Sequence, residues 1–93
     1  MGFLIERRLV QVGRRLRALR EELRVIDEQR SQFSEEAQDW AIRALVSENP
    51  ADGLEANQAG KHAAAMISRR RDVVAEIAVL ETKQDELLDQ MSS

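Results

Sequence analysis

Ser47-Glu48-Asn49-Pro50-Ala51-Asp52-Gly53-Leu54-Glu55 decides how this chain folds. The chain's single proline sits here among a glycine and several turn-forming polar residues, and the stretch separates two halves with the same hydrophobic rhythm. Proline disfavours helical geometry at the residue before it and has no N–H to donate, so Pro50 is read as stopping a first helix. Asp52 followed three residues later by Glu55 has the form of a capping box and is read as opening a second.

Upstream, counting by four and three from Ile5 gives Ile5, Leu9, Val12, Leu16, Leu19, Leu23, Ile26, Arg30, Phe33, Ala37, Trp40 and Ala44. All but Arg30 are apolar, and a repeat of about 3.5 residues held over many turns is the signature of a coiled coil. Downstream, Ala56, Ala59, Ala63, Met66, Arg70, Val73, Ile77, Leu80, Gln84, Leu87 and Met91 repeat it. Arg30 and Arg70 break the seams. Both are expected to reach out to a carboxylate such as Asp72, Glu76 or Glu36, and Arg70 has Phe33 as an alternative partner. Ser31 and Ser34-Glu35-Glu36 resemble a helix cap, but the register passes through them without a skip, so the first helix is read as continuous.

The fold class is therefore all-α. The expectation is one domain over 1–93, a long antiparallel hairpin with helix 1 at about 3–48, a turn at 49–52 and helix 2 at about 53–91. A bend centred on residues 51–52 sets Trp40 against Ala63, Ala37 against Met66 and Phe33 against Arg70. It also sets Ile26 against Ile77, Leu23 against Leu80 and Leu16 against Leu87. Large residues then meet small ones, as close packing requires. The seam is thus assigned to Leu9, Leu16, Leu23, Ile26, Phe33, Trp40, Met66, Val73, Ile77, Leu80 and Leu87. Charge favours the same orientation. The arginine-rich 6–24 faces the acidic 79–93, and the acidic 27–39 faces the basic 61–72, a pattern that biases partner direction in coiled coils.

Composition narrows the function. Aromatics are 3% and charged residues 33% of the 93 residues, and cysteine is absent. Disulfides, thiolate metal sites and cysteine nucleophiles are excluded, and a reducing cytoplasm is the expected compartment. A net charge of −3 demands no polyanionic partner. No apolar stretch approaches the roughly 20 residues of a membrane span. The opening Met1-Gly2-Phe3-Leu4-Ile5 is too short for a signal sequence. Twelve arginines against two lysines suggest a GC-rich bacterial gene. His62 is the only histidine and has no placed acid or nucleophile beside it. The reading is non-enzymatic, with no catalytic residue, cofactor, metal or small-molecule substrate.

What remains is interaction. The second helix has apolar surface left over at Gly60, Ile67, Val74, Ala78 and Leu88, which the first helix does not match. A homodimer joined along this stripe, a four-helix bundle, is expected. Glu48, Asp52 and Glu55 at the turn form a candidate tip for an unidentified protein partner. Phe3, Leu4, Ile5, Leu9 and Val10 with Arg7, Arg8, Arg14 and Arg15 form a basic amphipathic segment. Its arginines are assigned to the facing acidic block rather than to a membrane surface, and Arg69-Arg70-Arg71 is likewise not assigned to nucleic acid.

Two resemblances supply alternatives. An acidic-tipped antiparallel hairpin resembles in shape the bacterial transcript-cleavage and stringent-response factors that reach into RNA polymerase. That likeness implies a regulator acting through its tip, although the globular domain and zinc-binding cysteines are missing here. Leu19-Arg20-Glu21-Glu22-Leu23-Arg24-Val25-Ile26-Asp27-Glu28 resembles the opening helix of the all-helical chorismate mutases, which implies a small helical enzyme with active-site arginines. The chain departs from that pattern at Gln29-Arg30-Ser31-Gln32-Phe33 and lacks the basic residues expected downstream.

Overall fold

The computed structural model describes residues 2–92. It consists of two helices, α1 at Gly2–Val46 and α2 at Pro50–Ser92, with no strand among the described residues. Three residues, Ser47, Glu48 and Asn49, join them, as a helical hairpin requires. α1 runs unbroken through Ser31 and Ser34.

The turn lies earlier than the sequence suggests. The 47 N–H donates to the Arg43 carbonyl at 2.9 Å, which closes the last turn of α1. The Asn49 N–H then donates to the Ser47 hydroxyl at 3.0 Å. Asn49 is the N-cap of α2: its side-chain oxygen accepts from the Ala51 N–H at 3.0 Å, and its carbonyl accepts from the Asp52 N–H at 3.1 Å. Pro50 occupies the first helical position, where the missing N–H costs nothing and φ is already set for a helix. The turn is thus 47–49, not 49–52, and Pro50 starts the second helix instead of ending the first.

The packing forms two units, Met1–Arg24 with Asp72–Ser93, and Val25–Arg71. In the first unit the described residues bury Val12, Leu16, Leu19, Val73, Ile77 and Leu87, spaced along one stripe of each helix. Leu16, Leu19 and Val73 are sealed almost completely. Burying such a side chain stabilises by roughly 1.5–3 kcal/mol. Leu9, Leu23 and Leu80 are half-buried, while Met91 is exposed rather than part of the core. Arg15 bridges to Glu76 through two hydrogen bonds of 2.9 and 3.2 Å, and Arg20 approaches Glu81 at 3.7 Å.

The second unit is thinly packed. Ile26 is its only buried large apolar residue among those described. Phe33, Ala37, Trp40, Ala44, Ala56, Ala59, Ala63 and Met66 are half-buried. Alanine on the α2 side is too short to cover the rings opposite. The helices of this unit run antiparallel, because Asp27 pairs with Arg70 while Phe33, further along α1, stacks on the earlier His62.

Those two pairs correct the register expected from the sequence. Phe33 meets His62 rather than Arg70, and Arg70 meets Asp27 rather than Phe33, Asp72, Glu76 or Glu36. The cause is the turn. A bend centred on Glu48 instead of residues 51–52 slides one helix past the other by about one heptad, which keeps seam against seam. Arg30, placed in the core by the heptad count, is exposed.

Candidate interaction surfaces

The α2 stripe is exposed in both units. Gly60 and Ile67 belong to the second, Val74, Ala78 and Leu88 to the first, and Ile67, Val74 and Leu88 are 49%, 41% and 48% exposed. Gly60 has no atom within 4 Å of where a Cβ would stand, so another backbone has room to approach it.

The turn carries apolar surface beside its acidic residues. Glu48 and Glu55 are exposed and Asp52 is half-buried in the first turn of α2, where a carboxylate complements the helix dipole. Around them Ile42, Leu45, Val46 and Leu54 are all exposed, Leu45 at 86% and Val46 at 80%. Positions 42, 45 and 46 share one face of a helix by their spacing. The heptad count assigned these residues to no surface; their signal was their place outside the seam at the end of α1.

Beside the turn, within the second unit, lies a hollow of about 250 Å³ lined by Phe33, Glu36, Trp40, Glu55, Gln58 and His62. Phe33 and His62 stack with centroids 5.2 Å apart at 19°, within the usual range for stacked rings. The Arg43 guanidinium lies over the Trp40 ring at 5.0 Å, a cation–π contact one helical turn along α1. Glu36 accepts a long 3.4 Å hydrogen bond from Gln32. Glu55 has no hydrogen bond or ion pair among the described residues. His62, exposed on α2, thus forms an aromatic wall with Phe33.

The basic segment at the start of α1 is also open. Phe3, Leu4 and Val10 are exposed. Arg15 and Arg20 do reach α2 carboxylates. Arg7, Arg8 and Arg14 enter no ion pair among the described residues, so the facing acidic block does not account for them.

The shifted ionisations follow the ion pairs. The Arg70 hydrogen bond holds the Asp27 carboxyl below its ordinary value, and Arg24 does the same for Glu21. Hydrogen bonding to Glu76 raises Arg15 and hydrogen bonding to Asp27 raises Arg70. Among the described residues no group of histidine and carboxylate side chains is placed to hold a metal ion, and no helix is long and apolar enough to cross a membrane. Set beside known proteins, the chain matches no family model, no curated protein and no solved structure.

Proposed function

We propose that this chain is a non-enzymatic coiled-coil interaction protein that works by self-association and by binding a protein partner. One observation carries the reading: among the described residues, twelve large apolar side chains stay exposed on the single chain and only seven are buried. Scattered exposed apolar residues are ordinary, but stripes and clusters of them are interaction surfaces. Two helices alone also bury little, and helices draw most of their stability from packing.

Self-association uses the α2 stripe, Gly60, Ile67, Val74, Ala78 and Leu88, in a homodimer of four helices. The cysteine-free composition suits a reducing cytoplasm. Multi-angle light scattering tests the dimer. Replacing Ile67 and Val74 together with lysine is expected to halve the mass in dilute solution at physiological salt, where charge contacts between copies are screened, while helicity stays unchanged. An unaltered dimer mass would sink the α2 stripe as its interface.

A further inference from the structure

The hollow in residues 25–71 exists because α2 presents Ala59 and its neighbouring alanines where α1 presents Phe33 and Trp40. Its walls combine aromatic rings with two carboxylates. Among the described residues Glu55 has no hydrogen bond or ion pair, and Glu36 has only the long contact from Gln32. Aromatic faces and carboxylates together favour a flat, delocalised cation on an apolar stem, the description of an arginine side chain. Arg43 over Trp40 shows the same chemistry already used once on that ring. The exposed Ile42, Leu45, Val46 and Leu54 of this unit favour an arginine flanked by bulky apolar residues.

The first turns of α1 are such a segment. Phe3 is 72% exposed, and Leu4 and Val10 are exposed beside Arg7 and Arg8. Positions 3, 7, 10 and 14 share one helix face, so Phe3, Arg7, Val10 and Arg14 form one apolar and basic strip. Asp85, Glu86 and Asp89 of the same unit make no ion pair with these arginines. We propose that the hollow lined by Trp40, Glu36 and Glu55 receives Arg7 or Arg8 of a second copy of the chain. The contact joins two different patches, so made twice about a twofold axis it closes a dimer, and made head to tail it extends past one. It does not depend on the α2 stripe.

The test is a charge swap in chains that also carry Ile67→Lys and Val74→Lys, which removes the stripe from the measurement. Light scattering is followed against concentration at low salt, and circular dichroism checks helicity. The parent should grow with concentration. Arg7→Glu with Arg8→Glu, or Glu36→Arg with Glu55→Arg, should each raise the concentration for half-growth about tenfold, because each sets like charge against like. An equimolar mixture of the two sets opposite charges at both patches and should return to within about twofold of the parent. Should a reversed chain lose helicity, Arg7→Gln with Arg8→Gln replaces it in a second measurement. A Trp40→Phe chain, silent in fluorescence, is titrated into trace parent, whose Trp40 is the only tryptophan. The emission should shift saturably, and the glutamine chain, made with Trp40→Phe as well, should produce no shift. No growth in the parent, no rescue in the mixture, or an equal shift from the glutamine chain would each overturn the proposal. An equal shift from choline alone would assign the hollow to small free cations and overturn it as a contact between copies.

Discussion

Arg70 Nε lies 2.7 Å from Asp27 Oδ1, and the second guanidinium nitrogen reaches Oδ2 at 3.5 Å. This pair joins α1 to α2 within residues 25–71 and marks their register. Its pH dependence follows from the sign of the shift. Asp27 titrates below its ordinary value of 3.8, so the pair's stabilisation is present above that value and is lost as pH falls through the depressed one. Thermal melts followed by circular dichroism should therefore show a falling midpoint below about pH 4. Asp27→Asn should lower the midpoint slightly at neutral pH and shrink the acid-induced fall. An identical pH profile for the variant would rule out a contribution from this pair. Glu21, lowered by Arg24 within one helix, adds a fall in the same direction.

Leu19 and Leu45 are the same residue type on the same helix with opposite surroundings, 0% and 86% exposed. Leu19→Ala removes packed methyl groups and should cost about 2–5 kcal/mol in urea denaturation. Leu45→Ala should change stability by under about 0.5 kcal/mol. If the hollow and its rim take the second copy, Leu45→Ala should weaken that assembly while leaving the single chain's stability unchanged.

Asn49 caps α2, and Asp52 does not. Asn49→Ala should destabilise by about 0.5–2 kcal/mol, because the Ala51 N–H loses its acceptor. Asn49→Asp should be close to neutral. Asp52→Ala should cost less than Asn49→Ala, since Asp52 contributes only its charge near the helix N-terminus. The opposite order in chemical denaturation would restore the capping box at Asp52 and Glu55.

Gly60 separates packing within the chain from packing between chains. It lies inside a helix with open space around it, so Gly60→Ala should stabilise the single chain by about 0.5–1 kcal/mol. If the α2 stripe is a dimer seam, the added methyl group also meets the partner. The dimer dissociation constant should then rise while the isolated chain gains stability. Sedimentation equilibrium reads the first effect and denaturation at low concentration the second. A tighter dimer would place Gly60 outside the seam.

Periodicity carried a great deal of this fold. The helical state, the two stripes that face inward and the existence of a turn near Pro50 follow from residue spacing and from proline chemistry. Both are local properties written in consecutive residues. Leu16, Leu19, Ile26, Val73, Ile77 and Leu87 stand in the stripes and are buried. The leftover apolar residues of α2 were legible for the same reason.

Register was not legible. A slide of one whole heptad keeps seam against seam, so the repeat is blind to it, and only the cap at Asn49 with Pro50 as the first helical residue decides the bend. From that bend follow the Asp27–Arg70 pair and the Phe33–His62 stack. The aromatic hollow follows too, because it depends on which alanines stand opposite Phe33 and Trp40. Sequence alone determined what each helix turns inward; the tertiary structure decided which residues meet there, since that depends on a bend whose shift by three or four residues leaves the apolar pattern intact.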